Sequence, residues 1–136
     1  MLADGRRSGP DLARQPRPER NHHVGHKAKQ CVEECAACHA LCIETFTHSL
    51  ADGEAREDAH LRLLLDCAEM CQTAAHFLLR ESDLHAYTCR LCAAICRQCA
   101  TKCERFRHDP LMDACAQSCR RCAAACEGLS RSAMAA

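Results

Sequence analysis

The sequence feature that most constrains the fold is a run of cysteines separated alternately by three and four positions. The stretch CRLCAAICRQCATKC, residues 89–103, contains five of them. Alternating steps of three and four place side chains along one stripe of an α-helix, the stripe that faces the interior of a helical bundle. CVEECAACHALC at 31–42 and CAQSCRRCAAAC at 115–126 repeat the pattern, and CAEMC at 67–71 is a shorter version of it. The cysteines therefore predict helices that share a thiol-lined interior.

Turn-forming residues divide the chain into four predicted helices. These helices run from the mid-20s to about Leu50, from Glu54 to Glu81, from Ser82-Asp83 to about Arg107, and from Pro110 to near Gly128. Ser82 or Asp83 can cap the third helix, and a proline suits the first position of the fourth. Connections this short force neighbouring helices to run antiparallel. The predicted fold class is all-α, an antiparallel up-down-up-down four-helix bundle with a cysteine-lined core.

The residues before the first helix predict a tail outside the bundle. Residues 1–22 contain three prolines and many arginines, with almost nothing apolar to bury. We therefore expect a flexible Arg/Pro-rich tail over 1–22 and one metal-binding bundle domain over 23–136. The histidines at this border, His22, His23 and His26, could pass metal along, but a solvated tail is the simpler interpretation.

Charge and hydropathy argue against several partners and locations. Lys+Arg and Asp+Glu both number 18, which gives zero formal net charge. Such a protein has no field that attracts nucleic acid or an anionic membrane surface. Polar sequence follows Arg6-Arg7, whereas an export signal needs an apolar stretch there, and no window approaches the length of a membrane span. We expect a cytoplasmic protein with no nucleic-acid or membrane partner.

The abundance of cysteine favours metal binding over disulfides or simple packing. The chain has 15 cysteines, an odd number, so at least one thiol stays unpaired. Thiols fill a core less well than leucine, so packing does not explain so many in register. The candidate metal ligands are Cys31, Cys35, Cys38, Cys42, Cys67, Cys71, Cys89, Cys92, Cys96, Cys99, Cys103, Cys115, Cys119, Cys122 and Cys126.

The charge of the bound ion distinguishes the candidate metals. A Zn²⁺ ion held by four thiolates leaves two negative charges, and buried uncompensated charge is very unfavourable. Cu⁺ is soft, prefers thiolates and accepts two or three of them. One Cu⁺ per thiolate leaves the interior close to neutral. The pattern therefore favours many linked Cu⁺ ions of low coordination number.

These motifs resemble those of the bacterial copper storage proteins over residues 25–130. The similarity lies in the CxxxCxxCxxxC motifs of helices one and four, the CxxxC of helix two and the ladder of helix three. The resemblance implies a bundle that holds many Cu(I) ions on inward cysteines and assembles as a homotetramer. Without an export signal, the chain is similar to the cytosolic branch of the family. A cytosolic copper chaperone is then a candidate partner.

The resemblance also implies that copper is loaded through one end of the bundle, lined by His or Met. The end that joins helices one to two and three to four collects His60, His108 and Met112, near Phe46 and Phe106. These three side chains can bind Cu⁺. We therefore expect copper to enter at this end.

The opposite end of the bundle is predicted to be mostly a hydrophobic plug. It collects Val24, Leu78, Leu129 and Ala133, with His85 as a further candidate metal ligand. The remaining histidines of the helices, His39, His48 and His76, fall outside the cysteine stripes and are expected at the surface.

Helix two carries more large apolar residues than one interior stripe can use. These residues are Leu61, Leu63, Leu64, Leu65, Phe77 and Leu79. An exposed apolar surface often marks a protein interface. We therefore expect the outward part of helix two to contact other subunits of a homo-oligomer.

The function predicted is non-enzymatic storage and detoxification of cytosolic Cu⁺. We expect about 15–20 Cu⁺ per chain, from one ion per thiolate plus a few His or Met sites. A general buffer for zinc or cadmium is one alternative and would saturate near about four Zn²⁺. A redox protein with reversibly oxidised thiols is another, although such thiols are usually exposed and of low pKa.

Overall fold

The computed structural model describes residues 22–52 and 57–134, and these residues contain no β-strand. Their α-helices are α1 (His22–Asp52), α2 (Asp58–Leu79), α3 (His85–Cys103) and α4 (Pro110–Met134). A short 3₁₀ helix, Glu104–Phe106, follows α3. The predicted tail lies outside the described residues except for His22, and so does the predicted start of helix two at Glu54.

The helices form an antiparallel bundle, as predicted. The α1 helix packs against α2 and α4, and α3 packs against the same two helices. Across the diagonals, no Cα atoms of α1 and α3, or of α2 and α4, approach within 8 Å in the described ranges, and these pairs meet only through interior side chains. The four axes therefore stand at the corners of a square and enclose one shared interior.

Several predicted helix boundaries differ from the structure. The α2 helix ends at Leu79, not at Glu81, and Leu84 precedes α3 in the capping position predicted for Ser82 or Asp83. The α3 helix ends at Cys103, not near Arg107, because the chain tightens into the 3₁₀ turn before Pro110. The α4 helix continues past Gly128 to Met134. Gly128 is exposed, whereas the next residue, Leu129, is buried. Packing of Leu129 into the end of the bundle outweighs the weak helix propensity of one glycine.

A tight turn connects α2 to α3. The Glu81 N–H donates to the Leu78 carbonyl and the Ser82 N–H donates to the Phe77 carbonyl, each at 3.0 Å. This pair of bonds is the Schellman arrangement, which needs a left-handed residue after the helix. Glu81 takes that conformation with φ of 53°. The Ser82 hydroxyl then accepts a hydrogen bond from the Leu84 N–H at 3.1 Å, which directs the chain into α3.

The start of α4 follows the sequence prediction. Pro110 is the first helical residue, and the Asp109 carboxylate precedes it. Oxygen Oδ1 of Asp109 accepts hydrogen bonds from the backbone N–H groups of Leu111 at 2.9 Å and Met112 at 3.4 Å. This cap fixes where Met112 enters the bundle.

Candidate metal centre

All fifteen cysteines lie in the bundle interior with no solvent exposure, and none forms a disulfide. The predicted interior position of every cysteine is therefore seen in the structure. Alanines such as Ala68, Ala93, Ala100 and Ala123 are buried beside them. Because these flanking side chains are small, the helices approach closely enough for sulfurs on different helices to meet.

Pairs of sulfurs form regular rungs between neighbouring helices. The Sγ–Sγ distances between α1 and α4 are 3.4 Å for Cys31–Cys126, 3.6 Å for Cys35–Cys122, 3.6 Å for Cys38–Cys119 and 3.8 Å for Cys42–Cys115. Those between α2 and α3 are 3.7 Å for Cys67–Cys96 and 3.8 Å for Cys71–Cys92. Contacts of 3.9 Å between Cys38 and Cys67 and 3.8 Å between Cys71 and Cys122 join the two halves. The sulfurs thus form one continuous column.

Groups of four sulfurs recur along this column, with all Sγ atoms of a group within 4.8 Å of one another. Such groups include Cys35-Cys92-Cys122-Cys126, Cys38-Cys42-Cys67-Cys119, Cys38-Cys67-Cys71-Cys96, Cys42-Cys99-Cys115-Cys119 and Cys71-Cys92-Cys96-Cys122. Neighbouring groups share sulfurs, since Cys38 and Cys71 each belong to two of them. The arrangement is suited to bridged clusters in which one sulfur serves more than one ion.

One end of the column is closed by a layer with one residue from each helix. The Cys38–Cys67 contact sets the register of α1 against the antiparallel α2. Thr45 lies seven residues after Cys38, and His60 lies seven residues before Cys67, so these two residues are level with each other. On the other two helices, the same level is occupied by Cys103 and Met112. All four side chains are buried, and His60 Nε2 lies 3.3 Å from Cys103 Sγ. We call these four residues the entrance layer.

Thr45 is the member of the entrance layer that the sequence interpretation missed. Its hydroxyl is fully buried and has no hydrogen-bond partner within the described part of the chain. The signal was present, because Thr45 follows Cys42 by three residues and continues the cysteine stripe.

Aromatic contacts connect the entrance layer to the surface. The Phe106 ring stacks on His60, with centroids 5.8 Å apart and planes 7° apart. His108 contacts the edge of Phe106 at 6.5 Å and is itself exposed. Burial lowers the pKa of His60, so the imidazole stays neutral and keeps a lone pair for a metal ion. The structure thus brings His60 and Met112 to the column and places His108 outside them.

The opposite end of the column terminates in Cys31, Cys89 and Cys126. Leu78 and Leu129 are buried there, as expected of a plug. A cavity of about 120 Å³ nevertheless lies over this end and is lined in part by His85. The predicted hydrophobic plug therefore does not account for this cavity. The side chain of Val24, which was also placed here, lies outside the described set, and Ala133 is half-buried.

The other described histidines lie mostly at the surface, and His26 belongs to α1, not to a tail. His26, His48 and His76 are exposed, and His48 pairs with Asp109 at 3.5 Å. His39, which was expected at the surface, is half-buried because its Nδ1 donates to the Ala68 carbonyl at 2.8 Å. The side chains of His22 and His23 lie outside the described part of the structure.

Burial disfavours the thiolate form of the cysteines in the column, and the pKa is raised at Cys89 and Cys103, which lie near its two ends. The neighbouring sulfurs of Cys115 and Cys99, together with burial, raise the pKa of Cys103. The hydrogen bond with Cys126 lowers the pKa of Cys89, but contact with Cys31 and burial outweigh it and bring the pKa to about 12. The core of the described chain contains no lysine or arginine that could neutralise a set of thiolates.

Comparison with known proteins gives consistent matches. Residues 23–131 match the copper storage protein family. A solved structure from Nitrosospira multiformis is 36% identical, with TM-score 0.72, over 79% of this chain and 97% of that one. Apo copper storage protein 3 of Bacillus subtilis is 32% identical, with TM-score 0.69, over 76% of this chain and 98% of that one. A Cu(I)-bound structure of the Bacillus protein matches with TM-score 0.67 over the same shares.

A further match is a cytosolic copper storage protein from Streptomyces lividans, described as loaded with five coppers. It is 26% identical, with TM-score 0.78, over 82% of this chain and 98% of that one. The described helices of the present chain include none long and apolar enough to cross a membrane. The match to 23–131 covers most of the sequence and nearly the whole bundle. The chain belongs to the copper storage protein family.

Proposed function

We propose that this protein stores Cu⁺ in the cytosol by binding many ions to the thiolates of its core. The observation that carries the proposal is the continuous column of fifteen buried, unpaired cysteines. Thiols with no exposure are poorly placed for reversible oxidation by solutes, which disfavours a redox protein. Sequestration in a dry core also keeps Cu⁺ away from oxidants, and this supports detoxification as well as storage.

Charge supports Cu⁺ as the stored ion. The four-sulfur groups are compact enough for tetrahedral Zn²⁺, but each Zn²⁺ with four thiolates would leave two negative charges. Among the described residues, the core offers no lysine or arginine to balance them. One Cu⁺ per thiolate is neutral without any such partner. We infer a capacity of about 15–20 Cu⁺ per chain, since His and Met sites add a few ions to those on cysteine.

We infer that copper enters through the entrance layer. His60, Cys103 and Met112 supply one nitrogen and two sulfur atoms, a donor set suited to Cu⁺. The exposed His108 lies outside them, across Phe106. A copper ion captured at His108 would thus have a short path to His60 and then to Cys103. The distance from His60 Nε2 to Cys103 Sγ is 3.3 Å.

We also infer a homo-oligomer, a tetramer as the family resemblance implies, and a cytosolic copper chaperone as the delivering partner. Leu65 and Leu79 on the outer side of α2 are 38% and 67% exposed. Leu84 and Tyr87, near the start of α3, are also largely exposed, at 57% and 66%. The Streptomyces relative described as cytosolic supports the compartment.

An anaerobic titration of the reduced full chain with Cu⁺, against a competing chelator, tests the storage proposal. We expect tight uptake that continues to about one ion per thiolate or slightly beyond. A parallel titration with Zn²⁺ should saturate lower and more weakly. Tight binding that stops near about four ions of either metal would show a conventional thiolate buffer and contradict the proposal.

A further inference from the structure

The cavity at the end opposite the entrance layer has the features of a small binding site. Its volume is about 120 Å³, room for a few water molecules or one coordinated ion. Ala28, Leu78 and Leu129 line it on the side of the column, and His85 lies beside the turn residues Glu81–Asp83. We call it the rear cavity. It combines an apolar inner wall with polar groups supplied by the α2–α3 turn.

A hydrogen bond to the backbone fixes the tautomer of His85. Its Nδ1 donates a hydrogen bond to the Ser82 carbonyl oxygen at 2.9 Å. A carbonyl oxygen can only accept, so this bond places the proton on Nδ1 and leaves the lone pair on Nε2. Metal-binding histidines are commonly held in this way, with one ring nitrogen fixed by a carbonyl and the other free for the ion.

The last sulfurs of the column lie one helical turn from His85. Cys89 is four residues further along α3, a spacing that places two side chains on the same face. Cys89 interacts in turn with Cys31 and Cys126, whose sulfurs are 3.4 Å apart. A histidine nitrogen and three thiols thus follow one another from the cavity into the column.

The turn beside the cavity holds an unfavourable backbone conformation. Glu81 is the one non-glycine residue with positive φ in the described part of the chain, at 53°. Such conformations are uncommon for residues with a Cβ and cluster at functional sites. Here the conformation brings Glu81 to the cavity lining together with Asp83, whose negative charge favours a cation.

From these observations we propose that the rear cavity is a second copper port, at which His85 exchanges Cu⁺ with Cys89, Cys31 and Cys126. This proposal rests on the storage function. In the exchange, Cu⁺ binds His85 Nε2, and a Cu–S bond to Cys89 then forms as the Cu–N bond breaks. The Cys89 thiol proton leaves to solvent. Copper stays univalent throughout, so no oxidant or reductant takes part.

The test compares uptake of Cu⁺ from a coloured chelator complex by three forms of the full chain. The first is the natural sequence, the second carries His60→Ala and Met112→Leu, and the third adds His85→Leu to the second. With the entrance layer impaired, uptake should continue through the rear cavity. Adding His85→Leu should slow it by about tenfold or more, as loss of a group that positions a metal typically does, while the final capacity falls by about one ion at most. Equal rates for the second and third forms would overturn the second port.

Two further variants keep this result interpretable. His76→Leu replaces an exposed histidine of α2 outside the cavity and should leave the rate of the second form unchanged. Ala28→Leu fills the cavity from α1 and leaves the His85 side chain in place, and it should slow uptake as His85→Leu does. If the protein with His85→Leu fails to fold, the uptake rate of the Ala28→Leu variant shows whether the rear cavity is a second port. If the natural sequence takes up little Cu⁺, the storage function itself fails; normal storage with equal rates excludes only the second port.

Discussion

At the scale of single residues, the side chains between the column and solvent control how fast metal is exchanged. His108 is exposed, whereas Met112 is buried in the entrance layer. We predict that His108→Ala with Met112→Leu slows Cu⁺ uptake by about tenfold, because the first ligands on the path are lost. The capacity should fall little, since the fifteen cysteines remain. Stopped-flow uptake from a chelator complex measures the rate, and unchanged kinetics would contradict the proposed entrance.

Thr45 provides a second prediction at this scale. Its buried hydroxyl lacks a partner among the described residues, whereas the exposed Thr47 hydroxyl donates to the Ile43 carbonyl at 2.9 Å. An unpaired buried hydroxyl is unfavourable, so Thr45→Val should stabilise the metal-free protein by about 1 kcal/mol. Thr47→Val, the matched control, should not stabilise it. Urea unfolding followed by circular dichroism gives both values, and a destabilised Thr45→Val protein would show that the hydroxyl has a native partner.

At the scale of the elements, some helix ends can be predicted from the local sequence, whereas others depend on how the helices pack. Pro110 and Asp109 mark the start of α4 in the sequence as they do in the structure, because their effect on the backbone is local. Gly128 predicted a weakening of the last helix, but the helix continues to Met134 because the burial of Leu129 depends on the other helices. The rear cavity and the partly buried His39 were also missed for this reason: each requires contacts between distant segments.

The α2–α3 turn yields a prediction about the stability of an element. Glu81 adopts a left-handed conformation that glycine adopts with little penalty. Glu81→Gly should therefore stabilise the metal-free bundle by about 1 kcal/mol. Gly128→Ala is the complementary variant, because an added Cβ meets no atom within 4 Å and alanine favours the helix. Thermal unfolding measures both changes. A lower melting temperature for Glu81→Gly would mean that contacts of the carboxylate outweigh the backbone penalty.

At the scale of the whole molecule, buried thiols with a raised pKa make the stability of the fold depend on pH. The pKa of Cys89 in the folded protein is about 12, above its ordinary value of 9.0, and the pKa of Cys103 is raised too. A raised pKa means that the protonated thiol stabilises the fold fully below pH 9.0, and that this contribution disappears as pH rises toward 12. The contribution of the Cys89 thiol to the stability of the reduced, metal-free protein should therefore be lost across this range.

Urea unfolding at a series of pH values measures this loss, and Cys89→Ala should make the pH dependence shallower. A stability that stays constant up to pH 12 would contradict the raised pKa of Cys89.

The capacity of the column should depend on where a sulfur is removed. Cys71 Sγ lies within 3.6–3.8 Å of the sulfurs of Cys92, Cys96 and Cys122. Cys71→Ser should therefore lower the number of Cu⁺ bound by more than one, since several ions share this ligand. Cys89→Ser, at the end of the column, is the control and should lower it by about one. Equal losses in anaerobic titrations would show that each ion has its own ligands.

The sharing of sulfurs between neighbouring four-sulfur groups affects how copper ions fill the protein. An arriving ion changes the geometry around its neighbours, so partly filled molecules form a mixture of isomers and not a fixed series of intermediates. Spectra taken midway through loading should then describe a population average. Individual copper ions would then occupy no fixed position, and only the total number of ions bound by each chain would be well defined.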